Sequence, residues 1–176
     1  MTIKHIKISL LVLLSTFIIS CSDDDTTNQT LSSSDIVGNW SLVEINSTPA
    51  VDLEDNGNSD PNVMNQTDCF DGMSLDFDNN GNVTAVSSEI DYDDSTSPSF
   101  NCSLRTDSGS YTLNNSDLSV TVTLDGSQET ETLNVDLQNN TLSFIVTESD
   151  VADYFNVPSG QSFSSINELE FVYLKN

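Results

Sequence analysis

The sequence predicts an all-β domain, an eight-stranded antiparallel up-and-down barrel with one short helix before the last strand. Three observations carry that reading. Apolar and polar residues alternate strictly along Leu118-Ser119-Val120-Thr121-Val122-Thr123-Leu124, as they do in a strand with one face turned inward. The same period recurs at Leu133, Val135 and Leu137, and again at Leu142, Phe144 and Val146. Links rich in Asn, Asp and Gly join these runs, and short links between sequential strands make antiparallel neighbours. Closing such a meander into a barrel removes its exposed edges; an open sandwich is the other arrangement.

In chain order the strands fall near 36–46, 72–78, 82–90, 109–113, 117–125, 129–137, 141–147 and 168–175. Four of the connections are explicit turns: Asn79-Asn80-Gly81, Asn114-Asn115, Asp125-Gly126 and Asn139-Asn140. Each supplies residues that tolerate the positive φ of a tight hairpin. The helical piece is Ser149–Phe155, which opens on a capping residue, places Asp150 in its first turn and stops before Pro158.

The ends of the chain differ in composition. Residues 1–20 read as a secretory signal, with Lys4 and Lys7, an apolar run from Ile8 to Ile19, and the small Ser20 before Cys21. The run is shorter than the ~20 apolar residues of a membrane-spanning helix. Without this segment, 156 residues remain with 28 acids, two bases and no histidine, since His5 lies in the signal. That excludes Ser-His-Asp and Cys-His catalysis and His-containing zinc sites. So negative a chain also repels phosphate backbones, so no nucleic-acid partner is expected. Residues 21–34 lack apolar periodicity and read as a flexible acidic tether spanning roughly 20 Å, leaving 35–176 as one domain.

Several segments resemble known families. Ile18-Ile19-Ser20-Cys21 resembles the lipobox of bacterial lipoproteins, which implies lipidation at Cys21 and a membrane anchor. Ser22-Asp23-Asp24-Asp25 is similar to the acidic surface-export signal of Bacteroidota lipoproteins, which implies an outer-membrane protein facing the cell surface. Gly38-Asn39-Trp40 on the first strand, the strand count and the late helix resemble the lipocalin pattern. Over residues 35–176 the chain looks more closely like the lipocalin-like lipoproteins of Bacteroidota. These share Ile36-Val37-Gly38-Asn39-Trp40, an Asp/Asn/Gly-rich segment before a cysteine, a Leu75-Asp76-Phe77 strand-turn, a second cysteine and a closing strand like Leu169–Lys175. The resemblance implies a barrel-end signature of Gly38, Trp40 and Lys175. Lys175 stands where lipocalins usually carry an arginine over the tryptophan; taken alone, Trp40 reads equally as a core residue closing one barrel end. An eight-stranded barrel either fills with side chains or holds a small ligand.

Cys69 and Cys102 are an even pair in an exported chain and read as a structural disulfide, two free thiols being the alternative. In the longest loop, Asp52, Glu54, Asn56, Asn58 and Asp60 match the oxygen spacing of a calcium loop around Gly57, although Val63 stands where a bidentate Glu belongs. The alternative is a solvated acidic loop. A second match, Asp76–Gly81, reads as a hairpin turn. Arg105 is expected to neutralise Asp107. Asp25-Thr26-Thr27 and Asp94-Ser95-Thr96 resemble Bacteroidota O-glycan sites. Calcium is the single cofactor expected.

These readings support a non-enzymatic, membrane-anchored module that binds a small apolar or amphipathic ligand. The alternative is an adaptor whose filled barrel presents acidic, calcium-ordered loops to a surface protein or glycan.

Overall fold

The computed structural model describes residues 30–92, 100–124, 126–156 and 166–176. The signal, Cys21, both expected glycan sites and Asp125 lie outside them. The described strands are β1 (Gly38–Val51), β2 (Asp60–Asn62), β3 (Ser74–Phe77), β4 (Asn82–Tyr92), β5 (Phe100–Asn114), β6 (Asp117–Leu124), β7 (Ser127–Gln138), β8 (Thr141–Thr147), β9 (Phe155–Asn156) and β10 (Glu168–Lys175). Helix α1 (Ser33–Ile36) precedes the first strand, α2 (Glu148–Val151) follows β8, and a 3-10 turn covers Val63–Asn65. No helix among the described residues is long and apolar enough to cross a membrane.

Eight strands close a ring, β1-β3-β4-β5-β6-β7-β8-β10, sealed by the antiparallel β1–β10 ladder from Trp40↔Lys175 to Thr48↔Glu168. The short β2 continues along the edge of β1, and β9 pairs in parallel with β4 at Ile90↔Phe155. The expected turns work as the residue types demand. Asn115, Asn139 and Asn140 all have positive φ, the twist that two-residue hairpins need.

Period-two patterning decides what fills the ring. Trp40, Leu42, Phe77, Val83, Tyr111, Leu118, Val135, Leu142, Phe144, Leu169, Phe171 and Tyr173 are buried and form one core. Their cross-strand registers place them on a common face: Phe77 lies opposite Val83, Leu142 opposite Tyr173, and Val135 opposite Phe144. Burying a large apolar side chain contributes on the order of 1.5–3 kcal/mol. Phe144 stacks on Phe171 with centroids 5.4 Å apart, and Phe77 meets Tyr111 edge-on at 4.8 Å. These aromatic pairs fill the middle and one end of the barrel with protein.

Four boundaries differ from the sequence reading. The first strand runs on to Val51 because its far half continues pairing with β10 and β2. The strand expected at 109–113 begins at Phe100, since β4 and β5 form one unbroken hairpin ladder from Asn82↔Ser110 to Tyr92↔Phe100. Cys102 and Arg105 therefore sit on a strand rather than before it. Most of that extension is exposed, so no burial requirement wrote an alternating pattern into it. The helix expected over Ser149–Phe155 is a single turn, Glu148–Val151, that starts after Thr147, because Phe155 leaves it to extend the edge of β4 and pack its ring 5.7 Å from Phe70. Finally, the tether expected through residue 34 stops short. Leu31 is buried, and Ser32 and Asp35 form a reciprocal capping box on α1.

The disulfide joins Cys69 and Cys102 across 33 residues. It ties the segment under β4 to the hairpin extension, where the Ser88 hydroxyl also donates to the Cys69 carbonyl at 2.5 Å.

Candidate functional site

The two ends of the barrel differ. At the closed end, the fully buried Trp40 donates its indole N–H to the Ile36 carbonyl at 2.7 Å, so the ring seals the barrel against α1. The Lys175 ammonium lies 5.0 Å from the indole centroid, within cation–π range. It also donates to the Asp35 carbonyl at 3.2 Å. Gly38 makes room for this arrangement: its φ is +131°, and a Cβ there would sit 3.0 Å from Lys175 Cε. Gly38→Ala is therefore expected to destabilise the domain by about 1–3 kcal/mol, measured by urea unfolding. A loss below 0.5 kcal/mol (roughly the size of a neutral surface change) would show that the close approach is not needed.

The opposite end is covered on one side. Over β1–β4 the loop 52–73 contributes Leu53, Val63, Phe70 and Met73, which join Ile90 and Phe155 in the core. Over β5–β7 the inward row opens instead. Along β6, Leu118 is buried and Val120 packs on the core, whereas Val122 and Leu124 are half-buried and outside it. On β7 Glu131 stands opposite Val120 and Glu129 opposite Val122, and both are exposed. Tyr154, from the turn after α2, sets its ring 4.6 Å from Phe171 and packs against the core.

Charge gathers around this mouth. Burial pushes the Glu131 carboxyl above its usual range, and the nearby Asp150 and Asp153 push it further. The Tyr154 phenol is raised by burial first and then by Glu131, Asp153 and Asp150, with Arg105 acting in the opposite sense. Arg105 itself is bonded to Asp107 at 2.6 Å, as the sequence led one to expect. This end of β6 and β7 thus sets half-buried aliphatic residues beside exposed acidic ones. Nothing in its residue set resembles a nucleophile with its base.

The lipocalin-like domain model matches residues 36–144, more than half of the chain. The chain belongs to the lipocalin-like domain family. Lipocalin-like domains are in general binding proteins rather than enzymes. Among curated proteins, none matches the sequence. A crystal structure of an uncharacterized protein from Bacteroides eggerthii DSM 20697 is similar at 14% identity, with a TM-score of 0.39, covering 80% of this chain and 98% of that one.

In this lipocalin-like domain the expected calcium ligands make contacts of their own. Asp52 accepts from the backbone N–H groups of Asn56 and Gly57 at 3.1 and 2.6 Å. The Asn56 amide donates to Glu54, and Asn58 donates to Asn56. Asp60 turns away to the Asn62 N–H and the Asn65 amide. Among the described residues, no three His, Cys, Asp or Glu side chains gather as a metal-binding group.

Asp76–Gly81 leads into a hairpin turn, organised by Asp78. Its carboxylate accepts from Asn82 and Asn80, backbone and side chain both, between 2.8 and 3.2 Å. Asn82 foremost, then Asn80, hold its pKa down to about 2 from the usual 3.8. A depressed folded pKa means stability that is complete above pH 3.8 and lost as pH falls through about 2. Asp78→Asn is expected to flatten the acid-unfolding curve within that window; an unchanged curve would place the acid sensitivity elsewhere.

The mouth residues Val122, Leu124, Glu131 and Tyr154 were not among the expected site residues. The phase of Leu133, Val135 and Leu137 extends to positions 131 and 129, where the strand end is exposed and carries Glu.

Proposed function

We propose that this protein is an exported lipoprotein, anchored through Cys21 in the outer membrane and facing the cell surface. Its barrel binds a small apolar or amphipathic ligand at the open mouth. One observation carries the binding reading: an inward aliphatic row that passes from buried at Leu118 to half-exposed at Val122 and Leu124 while its outward neighbours are Ser and Thr. The described chain enters the domain at the closed end, through Leu31 and α1. Small-ligand sites are commonly concave and mostly apolar with a few polar groups, and barrel mouths are a preferred place for them.

The binding reading is tested on the chain from residue 22 onward, which contains every described residue. A fluorescent fatty-chain probe is expected to bind at one site, and Val122→Asp to weaken it about ten-fold or more, the scale of burying an unpaired charge. Full binding by that variant, or none by the parent chain, overturns the reading. Cys21→Ser is expected to leave an unacylated precursor, and normal anchoring of that variant would remove the lipoprotein reading.

A second reading rests on the aromatic filling of the barrel. In it the domain is an adaptor presenting acidic, calcium-ordered loops to a surface protein or glycan. It predicts a melting temperature raised by calcium and returned to baseline by Asp52→Asn with Asp60→Asn, together with indifference to apolar probes.

A further inference from the structure

We propose that the free edge of β7, the one turned away from β6, takes up an extended segment of a partner protein as an added strand, with lysine or arginine at its alternate positions. This goes beyond ligand uptake at the mouth and does not depend on it. The surface is the backbone of the strand itself. β7 pairs with β6 from Asp117↔Asn134 to Leu124↔Ser127, whereas β8 reaches β7 only from Val135 to Gln138. Among the described residues, no strand pairs with the other edge of residues 127–134. The Val135 N–H donates to the Ser116 carbonyl, just before β6. Backbone groups change sides from one residue to the next, so Gln128, Thr130 and Thr132 aim theirs at the free edge. Every residue from Ser127 to Thr132 is exposed. Hydroxyl pairs at 2.7 Å, Thr121 with Thr130 and Ser119 with Thr132, hold this ribbon extended.

An extended, unpaired edge of this kind is a template for strand addition. Its side chains decide which strand fits. Glu129 and Glu131 share one face of β7, so basic residues at alternate positions of an added strand come to lie opposite them. Cross-strand pairs of opposite charge stabilise a sheet, and like charges oppose it. A second copy fits badly: added antiparallel about Thr130, it sets Glu129 against Glu131 twice, between chains of net charge −24. Residues 100–108 of β5 also have no partner strand on the β6 side, but there Arg105 is bonded to Asp107 and the edge selects no charge.

The experiment uses the chain from residue 22 onward and synthetic peptides about nine residues long, enough to span the edge at ~3.3 Å per residue. One alternates threonine and lysine, one has the same composition with its lysines in a block, and one alternates threonine and glutamate. Binding is followed by fluorescence anisotropy and amide hydrogen exchange. The alternating lysine peptide is expected to bind about ten-fold more tightly than its block isomer, the scale of two cross-strand charge pairs. The glutamate peptide should not bind, and exchange should slow at Gln128, Thr130 and Thr132. Thr130→Pro removes an outward N–H without touching the β6 ladder and is expected to abolish binding. Glu129→Gln with Glu131→Gln is expected to erase the preference for alternating lysines. Leu104→Pro makes the matching change on the β5 edge and should alter nothing. Binding that protects none of the three amides is general attraction to an acidic protein and overturns the proposal. Full binding by Thr130→Pro, or its loss in Leu104→Pro, overturns it as well. Protection of the same amides at raised protein concentration alone, with dimers in sedimentation, would make a second copy the occupant and overturn the partner segment. Thermal melts confirm that each variant is folded.

Discussion

Trp40→Ala is expected to cost about 3–5 kcal/mol, a fifth or more of the ~5–15 kcal/mol that stabilises a domain of this size. Trp40 is fully buried at the closed end. Truncation leaves a cavity between α1 and the barrel, strips the Ile36 carbonyl of its donor and removes the ring beneath Lys175. Trp40→Phe retains most of the volume but leaves the carbonyl unpaired, so a loss of about 1–3 kcal/mol is expected, the cost of one orphaned buried group. The order matters as much as the sizes, because a role in filling space alone would make the Phe variant nearly neutral. Trp40 is the single tryptophan in the chain, so urea unfolding is followed by far-UV circular dichroism. An alanine variant losing less than about 1 kcal/mol, the ordinary size of a point-mutation effect, would remove Trp40 from the structural seal of the barrel.

Replacing both Cys69 and Cys102 with Ala is expected to cost about 3–4 kcal/mol, the loop-closure entropy of a cross-link spanning 33 residues. In melting temperature that is roughly 10 °C for a domain of this length. The effect has a place as well as a size. The bond fastens the segment carrying Phe70 and Met73 to the extension of β5, which pairs with β6 only from Gly109 onward. Hydrogen exchange in the double variant should therefore rise first at residues 66–73 and 100–106, ahead of β7 and β8. Reduction of the parent chain with dithiothreitol gives the same comparison without a substitution. A fall below about 2 °C, less than 1 kcal/mol on the same scale, would mean that the Phe70–Phe155 contact holds the segment unaided.

Much of the fold could be read in the residues because its causes are local. Strict alternation from Leu118 to Leu124 fixes which side of β6 faces inward, and Asn139-Asn140 fixes the hairpin into β8. The hairpin extension Phe100–Ser108 could not be read this way. Its residues are paired to β4 by backbone alone and are mostly exposed, so selection for burial leaves no period there. The helix after β8 was over-read for a related reason: a cap, an acid and a following proline are compatible with two turns, but the Phe155 ring is buried by leaving after one.

The sequence by itself determined the fold class, the strand order, the hairpin turns, the strongly acidic charge and the residues that meet at the closed end. Tertiary structure alone decided that the Ile36 carbonyl of α1 closes on Trp40, that the loop 52–73 brings Leu53, Val63, Phe70 and Met73 into the core, and that Val122 and Leu124 are left half-buried. The physical reason is that periodicity records which face a residue takes within its own sheet. Whether that face is then covered depends on elements distant in the chain, and here the covering segment is held over one half of the barrel by Phe70, Phe155 and the Cys69–Cys102 bond.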